Sequence, residues 1–204
     1  MEDKYASLEP GGIYHVYNRA IGYEKLFLSD DNYRFFLKKY EHYIQPFAET
    51  YCYCLMSNHF HFLVKIKEEN LDLTGFESLK DEPNLQGFQN LEGLLSRQFS
   101  NFFNAYAKAF NKIHNRKGSL FMHTYKRKRV TDEKYLRKVI HYIHYNPVEA
   151  GIVAKIGDWK YSSYKALSTN SQTKLNRKAV LKLFESRKNF VYCHQIEPTL
   201  SGVE

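Results

Sequence analysis

The chain of 204 residues carries 30 Lys and Arg against 22 Asp and Glu, a formal net charge of +8, with 17 Tyr and 15 Phe. That length suits one domain with its own core and an appendage. The excess of cations favours a polyanionic partner, because each cation that meets a phosphate releases condensed counterions. No apolar run approaches a membrane span and the polar start Met1-Glu2-Asp3-Lys4 is no signal peptide, so no membrane partner is expected. Three cysteines, Cys52, Cys54 and Cys193, without the Cys-x-x-Cys spacing of zinc sites, fit a reducing cytoplasm. Aromatic faces stack on unpaired bases, which leans toward single strands, although most rings in such a domain belong to its core.

In chain order, Ile13 to Asn18 follows the Gly11-Gly12 pair and reads as a strand. Ser29-Asp30-Asp31 supplies a helix start, and Phe35, Phe36, Tyr40 and Tyr43 recur at helical spacing up to Ile44, before Pro46. Thr50 to Met56 and His59 to Ile66 are β-rich runs joined by Ser57-Asn58, a tight hairpin. Cys52 and Cys54, two apart, share one strand face as packing residues. The polar stretch at 67–90 reads as a long insertion. Leu91 to His114 carries a helical stripe from Leu94 to Phe110. Ser119 to Val130 is extended and ends in Lys126-Arg127-Lys128-Arg129. Thr131-Asp132 caps a helix with Leu136, Val139, Ile140 and Ile143 on its apolar side, and Pro147 is expected to stop it just after Asn146. An irregular segment with Trp159 follows, then one final helix over 177–187. The first six elements, strand-helix-strand-strand-helix-strand, give an α+β fold: a ferredoxin-like (RRM-like) antiparallel sheet with helices packed on one face and the other face free for substrate. The expected division is a domain at 1–165 and a C-terminal helical extension at 166–204.

Two motifs carry chemistry. In His59-Phe60-His61 the strand alternation sends both imidazoles to one face and the phenyl ring to the other. Two imidazoles can hold one divalent metal; with no nearby cysteine to close a zinc site, a third oxygen ligand would suit Mg²⁺ or Mn²⁺ bound together with a phosphate. Histidine is also an ordinary half-buried strand residue, so the pair alone does not decide. In Tyr142-Ile143-His144-Tyr145-Asn146-Pro147 the i,i+4 spacing stacks Tyr142 and Asn146 on one helix face. Asn146 can offer a carbonyl oxygen to that metal and Tyr142 can reach the same phosphate; equally, Tyr142 can be core and Asn146 a helix-end residue. The basic run Lys126, Arg127, Lys128 and Arg129, with Arg19, Arg116 and Lys117, is the candidate DNA-binding surface, or else a solvated strand end.

Met56 to Leu63 (MSNHFHFL) resembles the His-hydrophobic-His strand of the HUH-class single-tyrosine transposases, and Tyr142 to Gly151 (YIHYNPVEAG) resembles the tyrosine motif of the REP-associated members of that class. Tyr14 to Arg19 (YHVYNR), Gly118 to Phe121 (GSLF) and Trp159 to Tyr164 (WKYSSY) match in the same order, so the resemblance spans most of 13–165. Ser57 departs from the proline common in relatives, and the insertion at 67–90 is less family-like.

The resemblance implies a bacterial, nucleoid-associated enzyme that cuts and rejoins single-stranded or hairpin DNA at palindromic repeat ends. His59, His61 and Asn146 would bind Mg²⁺ or Mn²⁺, and Tyr142 would be the nucleophile that forms a 5′-phosphotyrosine. Tyr106 is a rival nucleophile, with Phe110 rather than an amide at i+4. A tyrosine hydroxyl normally titrates near 10, so a group must take its proton; His144, His141 or a lysine are the candidates. Minimal relatives dimerise while repeat-associated ones can act alone, so a homodimer and a monomer are both expected assemblies. The alternatives are a non-catalytic single-strand-binding module of RRM-like shape, against which counts the absence of the RNP1 pattern from this sequence, and a water-using metal-dependent nuclease.

Overall fold

The structure, a computed structural model, describes residues 5–68 and 88–198, without the side chains of 88–90. Most of the expected insertion, residues 69–87, therefore lies outside the described residues. Four strands, β1 (Ile13–Arg19), β2 (Ala48–Leu55), β3 (His59–Ile66) and β4 (Lys126–Val130), form one antiparallel sheet in the order β2-β3-β1-β4. That order and the helices α1 (Asp30–Ile44) and α2 (Phe88–Ile113) are those expected of the ferredoxin-like arrangement. Among the described residues no helix is long and apolar enough to cross a membrane.

The alternation of each strand builds two cores. Tyr14 and Val16 of β1 and Phe60, Phe62, Val64 and Ile66 of β3 meet α1 and α2 through Phe36, Tyr40, Phe99 and Phe102, all buried. The opposite face was expected to be free, and it is not. Helix α3 (Glu133–Glu149) lies across it, with Leu136, Val139, Ile140 and Ile143 packed in one cluster with Cys52, Cys54, Leu63 and Val130. The apolar stripe of α3 requires such a surface, and full burial of each of these side chains stabilises the fold by about 1.5–3 kcal/mol.

Pro147 does not end α3, which runs on to Glu149. A proline removes only its own N–H, and the last turn closes instead through the Ala150 amide, 2.9 Å from the Asn146 carbonyl. The expected single terminal helix is two, α5 (Arg177–Leu183) and α6 (Arg187–Cys193), preceded by the short α4 (Tyr164–Ser168). Glu185 at φ +63° breaks the run, and the Ser186 hydroxyl caps α6 by accepting from the Asn189 amide at 3.1 Å. The Trp159 segment seals the edge of β2: the Leu55 amide donates to the Tyr161 carbonyl at 3.0 Å and the Trp159 indole to the Leu55 carbonyl at 2.9 Å.

A chain of hydrogen bonds joins α3 to α6. His194 Nδ1 stands 2.7 Å from the Phe190 carbonyl, His194 Nε2 stands 2.9 Å from His144 Nδ1, and His144 Nε2 stands 2.8 Å from the Ser163 hydroxyl. A carbonyl can only accept, so each donor along the chain is fixed when both rings are neutral. Burial holds His194 down to about 3, His141 beside it to about 4, and His144 well below the usual value. These groups add stability in full above the unfolded value near 6.5, and that stability is lost as pH falls toward the folded values. The urea midpoint should be level above pH 7 and drop steeply between about pH 6.5 and 4. A midpoint that stays level through that window would mean that the ring chain does not hold the two helices.

Candidate functional site

The strand alternation places the histidine pair as expected. His59 and His61 stand on the α3 side of β3, and Phe60 and Phe62 point into the opposite core. The two imidazole centroids are 5.1 Å apart, edge to face. Asn146 of α3 reaches down to both. Its Oδ1 is 3.4 Å from His59 Nε2, and its side chain stands beside His61. Asn146 Nδ2 donates to the Tyr142 carbonyl one turn back, at 2.9 Å. Because a carbonyl cannot accept from another oxygen lone pair, that bond settles which end of the amide faces the histidines: the oxygen does.

Convergence was expected on an open sheet face, but α3 roofs it. His61 and Asn146 are 4% and 6% exposed. Tyr142 shares the Asn146 side of α3, with its ring centroid 5.5 Å from His61, and is itself only 2% exposed. A groove of about 510 Å³ opens beside the pair, lined by Arg19, Asn58, His59, His61, His123 and Lys126 together with Tyr17, and among the described residues no carboxylate lines it.

The donor set fits a divalent cation. Two ligands each about 2.1 Å from one ion stand about 3.0–3.4 Å apart, which spans the observed His59–Asn146 separation. Burial, then the nearby His15 and His59 charges, hold His61 well below the usual histidine value, so it is neutral at pH 7 as a ligand must be. Among the described residues no three histidines, cysteines or carboxylates form a metal cluster.

The candidate cations divide. Arg19 and Lys126 line the groove, Lys126 with its ammonium 5.7 Å from the Tyr17 ring. Lys128 points to the α3 face and is 3% exposed, and its charge adds to burial in holding His15 down to about 3. Arg127 donates to the Ala6 carbonyl at 2.7 Å, and Arg129 pairs with Glu9. Arg116 is tied to the Gly118 and Ser119 carbonyls and to Glu24, and neither it nor Lys117 lines the groove. The period of two in a strand divides the continuous basic run between the two faces of the sheet. Tyr106 sits in the other core, its hydroxyl bonded to the Leu26 carbonyl and its pKa raised by burial. Both ring nitrogens of His144 are engaged away from Tyr142, and His141 packs on His194 and Tyr145, so neither stands where a base for Tyr142 would.

Sequence reasoning missed His15 and Tyr17. They occupy the same face of β1, and the register sets Tyr17 opposite His61. The alternation Tyr14-His15-Val16-Tyr17 was visible, but pairing register is not written in one strand. The two-face assignment has a direct test. Phe60→Ala should cost about 3–5 kcal/mol and His59→Ala about 1 kcal/mol or less in urea unfolding. Equal costs would mean that the faces are exchanged.

No family model matches the chain. A Haemophilus influenzae protein named "Putative REP-associated tyrosine transposase" is 28% identical over 126 residues, and the match covers 61% of each chain. Among solved structures, that of a REP-associated tyrosine transposase bound to a REP hairpin matches with a TM-score of 0.56 at 16% identity, over 81% of this chain and 84% of that one, which speaks for the fold alone. In sequence over that span, and in fold over most of its length, the chain is similar to the REP-associated tyrosine transposases.

Proposed function

We propose that the protein is a transposase-type single-strand endonuclease and strand transferase acting on single-stranded or hairpin DNA. The observation that carries this reading is the meeting of the Asn146 oxygen with His59 and His61, one helical turn from Tyr142. Its similarity to the Haemophilus protein supports the transposase reading, and the fold neighbour was solved bound to a REP hairpin.

Arg19 and Lys126 would draw the phosphodiester backbone into the groove, and Tyr17 offers a ring for a base. His59, His61 and Asn146 would hold Mg²⁺ or Mn²⁺, which when bound supplies positive charge beside a scissile phosphate. The Tyr142 oxygen attacks phosphorus and the bond to the 3′ oxygen breaks. The products are a 5′-phosphotyrosine and a free 3′-OH, with the tyrosine proton ending on the departing oxygen. A 3′-OH then attacks the phosphotyrosine, reforms the diester and returns the proton to Tyr142. One ester replaces another at each step, so no nucleotide hydrolysis is needed. Tyr142 is 2% exposed, so attack requires α3 to shift relative to the sheet. That burial also favours a second reading, binding without cleavage.

Labelled hairpin DNA incubated with Mn²⁺ and run on a denaturing gel separates the readings. Wild-type protein should give a protease-sensitive protein–DNA band, and Tyr142→Phe should give none while still binding the hairpin. A band that persists in Tyr142→Phe would move the nucleophile elsewhere, a free 5′-phosphate without a band would make water the nucleophile, and binding without any cut would leave a binding module. In parallel, Arg19→Ala with Lys126→Ala should lower the salt dependence of hairpin binding by about 0.7–0.9 in log–log slope per cation, whereas Arg127→Ala should leave it unchanged. The reverse pattern would place the DNA surface on the far side of β4.

A further inference from the structure

The His59–His61 pair has a third imidazole beneath it. His15 of β1 lies with Nε2 2.9 Å from His61 Nδ1, the rings nearly parallel at 5.1 Å between centroids. Asn146 approaches from α3, so His61 stands between the amide and His15. Tyr17 stacks on His15 at 4.7 Å, and the Tyr142 ring meets its edge at 6.1 Å. His15 is 1% exposed, and its Nδ1 is buried with no hydrogen-bond partner among the described residues.

A ligating imidazole must present a lone pair to the ion and carry its hydrogen on the other nitrogen. Which nitrogen that is depends on what the second one meets, and a partner there also fixes the ring plane. For His61 that partner is His15. We propose that His15 is the positioning residue of the candidate metal site: its Nε2 accepts the Nδ1 hydrogen of His61 and thereby turns the His61 Nε2 lone pair toward His59 and Asn146. The part is one that a carboxylate or a backbone carbonyl usually fills. The orphaned Nδ1 is consistent with a ring kept for the nitrogen at its other end, since burying an unpaired polar atom is unfavourable.

This inference rests on the metal reading of His59, His61 and Asn146. Three single variants separate the two. His15→Phe keeps a ring between Tyr17 and Tyr142 and removes the acceptor. His15→Gln carries an amide oxygen to about the place of Nε2. His61→Ala removes the ligand itself. Mn²⁺ affinity is measured by calorimetry on the full chain, with a thermal melt of each variant. His61→Ala should abolish binding, His15→Phe should weaken it about 10–100-fold, and His15→Gln should restore it to within about threefold of wild type. A second readout, the ring ¹H–¹⁵N correlation of His61 in Mg²⁺-loaded wild-type protein, should show the hydrogen on Nδ1. If His61→Ala binds Mn²⁺ as wild type does, the metal reading falls and this inference with it. If His61→Ala loses binding while His15→Phe keeps it, or if His61 carries its hydrogen on Nε2, the metal reading stands and the role of His15 is refuted. Should His15→Phe fail to fold, a His15→Gln protein that folds but binds as weakly as His61→Ala would equally refute it.

Discussion

The burial of one helix stripe sets most of this structure. Leu136, Val139, Ile140 and Ile143 of α3 need an apolar partner, and the second face of the sheet offers Cys52, Cys54, Leu63 and Val130. Each such side chain is worth about 1.5–3 kcal/mol when buried, against about 1 kcal/mol for a hydrogen bond. Packing therefore fixes where α3 lies, and the polar contacts follow from it. Tyr142 and Asn146 come to stand over β3 because they flank the stripe that the same helix buries against the sheet. Asn146 meets His59 because α3 is already there, and its bond to the Tyr142 carbonyl then sets which atom it presents.

The same packing explains what sequence patterns reveal here and what they conceal. Strand alternation at His59-Phe60-His61 and the i,i+4 relation of Tyr142 and Asn146 are local periodicities, and both are met in the fold. The sheet order follows from the element order and short connections. The cover over the second face did not follow, although the apolar stripe of α3 was plain, because one stripe does not say which surface it will meet. Lys126 to Arg129 looked like a single charged patch because net charge was read without its period of two. Once β4 is paired, Lys128 turns inward beside His15 while Arg127 turns to the Ala6 carbonyl. The role of His15 depends on register between β1 and β3, which is a property of two segments 46 residues apart.

Local chemistry also overrode simple breaker rules. Pro147 lies within the last turn of α3, where the carbonyls have few helical partners in any case. Glu185, which helical periodicity passes over, adopts a left-handed backbone and divides the terminal segment. The two short helices that result carry Val180, Phe184 and Phe190 into the same cluster as α3, and the neutral His144–His194 bond joins them to it. The chain after 166 is in this way part of the packing that holds Tyr142 and Asn146 in place.

We propose that β3 and α3 together build one cation site from His59, His61 and Asn146. Anomalous diffraction from crystals grown with Mn²⁺ tests it most directly. The account predicts one strong anomalous peak at about 2.1–2.3 Å from nitrogen atoms of both His59 and His61 and from Asn146 Oδ1. A peak at the His141–His144–His194 cluster, or full Mn²⁺ occupancy anywhere that leaves His59 and Asn146 in contact as they are now, would contradict it.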